Sequence, residues 1–323
     1  MLSRVAQSVY WMARYIERAE NVARFIDVNL HMLLDLPMRG AEQWEPLVLT
    51  TGDWSQFLAR YRKATGQNVI QFLTFDQDNP NSILSCLNVA RDDARSMRET
   101  ISSDMWEQLN QFFLMVNGVA SDGGHLESPY AFFDAIKKGS QLFDGITMAT
   151  LSHGEAWHFY LLGRLLERAD KTSRLLDFKY FFLLPSAADI GTPVDDIQWA
   201  AVLRSASGFE MYRKRHAEIA PDRIVEFLLL DHQFPRSVQY CVTHTDSSVH
   251  AISGTPAGMF QNSAERRLGQ LRGKLAYAQV DEIIGGGLHE YLDELQVEIN
   301  LAGDAISATF FGTEIQSQMQ ASL

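Results

Sequence analysis

Two Glu-Arg pairs, Glu17-Arg18 and Glu167-Arg168, stand in closely similar surroundings 150 residues apart. A carboxylate can orient a group or accept a proton, and the planar fork of a guanidinium can grip a carboxylate or phosphate with two parallel hydrogen bonds. Around the first pair lie Arg14, Glu20, Arg24 and Asp27; around the second lie Arg164, Arg174 and Asp177. On a helix, spacings of three and four bring Arg14 to Glu17, Glu20 to Arg24 and Arg24 to Asp27 on adjacent turns. Glu17 and Arg18 are therefore the candidate catalytic residues. Arg14, Arg24, Asp27, Arg164, Glu167, Arg168, Arg174 and Asp177 are candidates for binding. A third stripe, Arg91, Arg95 and Arg98, shares a helix face at i, i+4, i+7, and we expect it to face the Arg14/Glu17/Arg18 helix as one asymmetric anion site.

These charges could form an ordinary solvated face, with each pair worth well under ~1 kcal/mol. Their neighbours argue otherwise. Met12, Tyr15, Ile16, Ala19, Ala23, Ile26 and Leu30 make one apolar arc, yet Tyr10, Trp11, Phe25 and Val28 lie on the opposite side, between the charges. A helix apolar on both sides is buried on both, and its charges must then be paired.

The elements that carry these residues read as helices. Pro-free tracts at 1–36, 81–128, 130–184 and 257–323 are rich in Ala, Leu, Met, Glu, Gln and Arg, with apolar residues at helical spacing. Strand-like alternation is hard to find. Internal similarity organises the chain further. Residues 10–28 and 160–178 share seven of nineteen positions, including Tyr10/Tyr160, Arg14/Arg164 and Arg24/Arg174. Residues 72–87 and 227–242 share six of sixteen, including Asp76/Asp231, Pro80/Pro235, Ser82/Ser237 and Cys86/Cys241. The expected fold is all-α, a long-helix bundle made by tandem duplication with approximate two-fold pseudo-symmetry. Its halves are residues 1–149 and 150–323, packed as one unit. Ser82 or Asn81 caps a helix after a Pro turn, and 244–264 reads as an irregular excursion.

Composition excludes several classes. The 323 residues are 46% hydrophobic and 21% charged, with a net charge of -12 and no basic run, so phosphate backbones are repelled and no nucleic-acid partner is expected. No apolar run approaches the ~18 residues that cross a bilayer, and no secretory pattern opens the chain. With two cysteines and no disulfide framework, the expectation is a cytoplasmic protein without a membrane partner. Cys86 and Cys241 read as small buried hydrophobes. Glu155 and His158 have the E-x-x-H spacing of di-iron bundles, but no second copy exists, so no metal is expected. Phosphate-loop and dinucleotide motifs are absent, Gly285-Gly286-Gly287 reads as a helix break, and no cofactor is expected.

Four blocks in order, LSRVAQSVYWMARYIERAENVARFID, DNPNSILSCLNVARDDARSMRETIS with MWEQLN, FYLLGRLLERADKTSRLLD and HQFPRSVQYC, resemble the bacterial alpha-E family over nearly the whole chain. Glu17-Arg18 and Glu167-Arg168 are its motif pairs; Ala13 stands where the pattern has glycine, as Gly163 does in the second block. The resemblance implies partnership with circularly permuted ATP-grasp ligases, encoded beside such proteins or fused to them. It also implies a peptide-ligation or peptide-modifying setting, with a peptide or amino-acid substrate. Three readings follow. In the first, the chain is a non-catalytic or co-catalytic companion of an ATP-grasp-type ligase, with Arg14, Arg18 and Arg91 holding carboxylate or phosphate and Glu17 orienting them or accepting an amine proton. In the second, it is a stand-alone enzyme acting on amide bonds through the Arg/Glu cluster. In the third, it is a structural adaptor whose charges specify packing.

Overall fold

The computed structural model describes residues 1–35, 44–182 and 191–312. Residues 313–323, the end of the second half, lie outside them, as do the ends of the first and third Pro-free tracts. The described residues hold fifteen helices and no strand. In the first half these are α1 (Ser3–Asp35), α2 (Glu45–Thr51), α3 (Trp54–Arg60), α4 (Gly66–Thr74), α5 (Ile83–Ser96), α6 (Ser103–Ser121) and α7 (Pro129–Thr150). The second half holds α8 (Glu155–Phe182), α9 (Pro193–Ser205), α10 (Phe209–Arg215), α11 (Pro221–Leu230), α12 (Val238–Ser253), α13 (Ser263–Ala276), α14 (Val280–Gly286) and α15 (Leu288–Phe310). No described helix is long and apolar enough to cross a membrane.

Local chemistry accounts for the helix starts. Ser82 and Ser237 each follow a Pro turn, and each Oγ accepts the backbone N–H three residues on, from Ser85 and Tyr240, both at 3.1 Å. This satisfies donors that the first helical turn leaves open. Beside those turns, the Cys86 and Cys241 Sγ atoms each donate to the carbonyl of the turn proline, Pro80 and Pro235, both at 3.6 Å. Arg60 holds Asp76 at 2.6 Å, and Arg215 likewise holds Asp231. Gly287, at φ +104°, closes α14 and admits α15, so the triple glycine is a break as expected. The expected irregular excursion is shorter than 244–264: α12 runs through Ser253, because Thr245, Asp246, Ser248 and Val249 bury one face.

The core centres on α1 and α8. Helix α1 packs on α5, α7, α8 and α9, and α8 packs on α1, α12 and α15. The two run side by side in the same direction. Tyr10 meets Gly163 near one end, and Phe25 shares a pocket wall with Leu175 further along. Their approach depends on Gly163, where an added Cβ would sit 2.1 Å from the Tyr10 carbonyl oxygen. Covered on several sides, α1 buries Met12, Ile16, Ala19, Ala23 and Ile26 on one arc and Tyr10, Glu17, Glu20, Arg24, Phe25 and Asp27 elsewhere.

Candidate functional site

Glu17 and Glu167 face each other's helix, and each takes the arginine that follows the other. Arg18 Nε and Nη2 meet the two Glu167 oxygens at 2.7 and 3.0 Å. Arg168 Nε and Nη2 meet the two Glu17 oxygens at 3.0 and 2.7 Å. Arg14 Nε adds a bond to Glu167 Oε2 at 2.9 Å, and Arg164 Nε approaches Glu17 Oε2 at 3.4 Å. Both glutamates are essentially unexposed, at 1% and 0%. In so dry a place a carboxylate stays charged only when its oxygens are saturated by paired donors, and these are.

The intrahelical pairing expected from sequence is corrected at two of three positions. Glu20 does pair with Arg24, at 2.6 Å. Arg14 reaches across to Glu167 instead of Glu17, and Asp27 takes Lys137 of α7 at 2.7 Å instead of Arg24. Arg24 turns its remaining nitrogen to the Ser207 hydroxyl. On α8, Arg164 pairs with Asp144, which also accepts from Tyr160 at 2.9 Å. Arg174 pairs with Asp170 at 3.0 Å, and Asp177 with His289 at 2.6 Å. Asp177 and His289 form a separate local pair, whereas Asp170 is linked to Glu167 through Lys171.

The arginine stripe is a second correction. Arg91 donates to Asn110 of α6 at 2.7 Å and lies 4.9 Å from the Phe113 ring centre. Arg98 lies 4.6 Å from the Trp106 ring, and exposed Arg95 pairs with Asp92 on its own helix at 2.9 Å. Arg91 and Arg98 therefore face α6 and its aromatic residues, Arg95 stays at the surface of its own helix, and α5 packs on α1. The expected joint site of Arg91, Arg95 and Arg98 with Arg14, Glu17 and Arg18 is not assembled.

Sequence reading missed Arg236, the central bridge. Its Nη1 donates to Glu17 Oε1 at 2.9 Å and its Nη2 to Glu20 Oε1 at 2.5 Å. At the matching place after the first Pro turn, Asn81 accepts from Arg18 Nη1 at 2.8 Å. The signal available was position: each residue directly follows the turn proline. Asn21, Ser140, Asp170 and Lys171 complete the network. A separate buried cation, Lys179, is held by Asp195 and Gln198 at 2.7 and 2.8 Å.

Electrostatics follow the geometry. Burial alone would raise the Glu17 carboxyl, but Arg168 and Arg236 overcome it and hold the group well below the ordinary glutamate range. Glu167 is held low in the same way by Arg18, Lys171 and Arg14. Arg236, crowded by burial and by Arg168, is drawn down to about 10. A carboxylate with depressed basicity and engaged oxygens is poorly disposed to take a proton from a substrate. What the cluster does well is fasten α1 to α8. Burial pushes both thiols, Cys86 and Cys241, up to about 12, which makes them poor nucleophiles.

Asp177, His289 and Asp293 bring one ligand atom each within 4.8 Å of one another. The Asp177 hydrogen bond to Nδ1 holds the His289 ring in its charged form to higher pH. Glu155 receives the amino group of Met1 at 2.5 Å and His153 stacks on Trp157, whereas the Nδ1 atom of His158, the histidine of the E-x-x-H spacing, is buried with no hydrogen-bond partner among the described residues.

Uncharacterized proteins of Mycobacterium bovis and of two Mycobacterium tuberculosis strains are each 22% identical to the chain over 332 residues. The match covers 95% of this chain, yet the chain spans only 36% of those relatives' own length. No solved structure matches. A family model described as a predicted alpha-helical domain with a conserved ER motif covers residues 1–311, the two reciprocal Glu-Arg pairs lie within it, and the chain belongs to that family, Alpha-E.

Proposed function

We propose that this chain is the helical, non-nucleotide-binding companion of an ATP-grasp-type ligase in a peptide-ligation or peptide-modifying system. One observation carries the reading. A unit matching 95% of this chain forms only 36% of its mycobacterial relatives, so the helical unit works there joined to a much larger remainder. The site geometry agrees: Glu17 and Glu167 spend their oxygens on arginines of the other helix, which suits a scaffold and argues against stand-alone amide-bond catalysis by Glu17 and Arg18. Gentle purification of the tagged protein from its native host tests this. Near-equal recovery of an ATP-grasp ligase, with ATP-dependent ligation only when both are present, is the expected result. ATP hydrolysis or amide-bond turnover by the chain alone would overturn it.

The saturated glutamates also favour a structural share for the cluster within that role. Glu17→Gln and Arg18→Lys should then lower stability but leave ligation per folded molecule unchanged. We further infer that residues 1–149 and 150–323 are tandem copies related by an approximate two-fold axis along α1 and α8. The reciprocal Glu-Arg exchange, the matched Ser caps, the matched Cys–Pro contacts and the matched Arg60–Asp76 and Arg215–Asp231 pairs support it. Opening the chain between Leu151 and Gly154 and co-expressing the pieces should give a one-to-one complex. Pieces that fold without associating would count against it.

A further inference from the structure

Away from the buried cluster, a cleft of about 520 Å³ lies where α1 passes α9 and α10. Its walls carry Arg24, Lys137 and Arg204 against Asp27 and Glu210. Glu20 and Asp134 stand behind these walls against Arg24 and Lys137, so the recess is mixed in charge and Arg204 is its one cation without an ion-pair partner among the described residues. The cations are not equally committed. Arg24 is tied to Glu20 and Lys137 to Asp27. Arg204 is exposed, lies 4.6 Å from the Phe209 ring, and has no carboxylate within ion-pair distance among the described residues. Next to it Ser207 holds φ +51°, the one positive φ at a non-glycine among the described residues, with its hydroxyl on Arg24. Strain of this kind persists where surrounding contacts enforce it, and such places are often binding sites.

The cleft does not end at its charged walls. Val28, Met32 and Ala201 line both it and a narrower apolar slot of about 40 Å³, which runs inward between α1, α8 and α9. Asn29 lines the slot at 5% exposure, and its Nδ2 has no hydrogen-bond partner among the described residues. A buried amide donor without an acceptor is costly, and an acceptor brought into the slot would relieve it.

We propose that the cleft and slot together form one binding site for a small amphipathic organic oxyanion. Its carboxylate or phosphate monoester head meets Arg204 at the mouth. A short apolar arm enters past Val28 and Ala201 and brings a hydrogen-bond acceptor to Asn29 Nδ2. The assignment is independent of the ligase reading, because the site lies within this chain and the binding is tested without a partner.

Calorimetric titration of the purified full chain tests it with three probes: N-acetyl-L-leucine, its neutral amide N-acetyl-L-leucinamide, and 4-oxopentyl phosphate, whose ketone supplies the acceptor on the arm. We expect binding of at least one anionic probe, with the neutral amide about tenfold weaker or worse because it cannot make the charge-assisted contact. The stronger anion identifies the head group. Arg204→Gln alters an exposed side chain and should weaken the anion about tenfold while leaving the melting temperature unchanged. Ala201→Leu fills the slot and should abolish binding; thermal melting confirms that this variant is folded, and Val28→Ile repeats the test if it is not. Equal binding of the neutral amide would overturn the proposal, as would indifference to Arg204→Gln. Binding no stronger than that of inorganic phosphate would mean an ion on the charged wall alone and would overturn it too. No binding of any probe would leave Asn29 satisfied by a trapped water and the site refuted.

Discussion

Arg18 Nε and Nη2 close on the two carboxylate oxygens of Glu167 at 2.7 and 3.0 Å, a bidentate contact between helices that begin 152 residues apart in sequence. Because Glu167 is fully buried, the contact is worth most when complete, and removing one side strands the other.

Glu167→Gln would leave Arg14, Arg18 and Lys171 crowded together without their shared carboxylate. We expect a loss of about 3–5 kcal/mol, read as a lower urea midpoint at pH 7 with an unchanged slope. Arg18→Met combined with Glu167→Gln should cost less than the sum of the single changes. Additive losses would mean that the two side chains do not interact.

The depressed carboxyls make stability depend on pH in a definite direction. Glu17, Glu20 and Glu167 are all held below their ordinary value, so the unfolded chain binds more protons than the folded one in the acid range. Their contribution is fully present above the unfolded glutamate value of about 4.3 and is lost as pH falls through the folded values. Melting temperature should therefore drop steeply below about pH 4.3, and the drop should be shallower in Glu20→Gln.

Asp93 works in the opposite sense. Burial and neighbouring Asp92 raise its carboxyl to about 6, so its contribution is complete below the unfolded aspartate value and is lost as pH rises through about 6. Asp93→Asn should raise stability at pH 7 by about 1 kcal/mol, allowing for solvent screening. The gain should vanish at pH 4, as followed by thermal melts at the two pH values.

Gly163 sets the separation of α1 and α8. Gly163→Ala places a methyl 2.1 Å from the Tyr10 carbonyl oxygen and 3.2 Å from Ala13 Cβ. Relief requires the helices to part, which loosens both bidentate pairs, so we expect a cost of about 3 kcal/mol. Ala13→Gly, which crowds nothing, should cost only about 1 kcal/mol through helix propensity. Chemical denaturation of the two variants distinguishes crowding from propensity.

Cys86 and Cys241 should both resist a thiol reagent at pH 8 in the native protein, since burial removes access and pushes both thiols up to about 12. Both should label once the chain is unfolded in denaturant. Rapid native labelling of either would show that the Pro turn beside it opens.

Much of the architecture was legible because it is local. Apolar spacing of 3.6 residues marks α1 and α8, a serine after a Pro turn marks the start of α5 and of α12, and Tyr10 and Phe25 amid charges mark α1 as covered on more than one side. These features depend on residues within one or two turns of each other, so type and spacing determine them. Partner choice among the charges is different. Arg14 could meet Glu17 one turn away, but the close α1–α8 approach at Gly163 puts Glu167 at 2.9 Å. Arg91 turned to α6 because Asn110 and Phe113 offered an acceptor and a ring face, and Arg236 entered the centre because the second Pro turn folds over Glu17 and Glu20. Which cation reaches which carboxylate is decided by how helices pack at a few ångströms, a sum over the whole core that no single stretch of sequence contains.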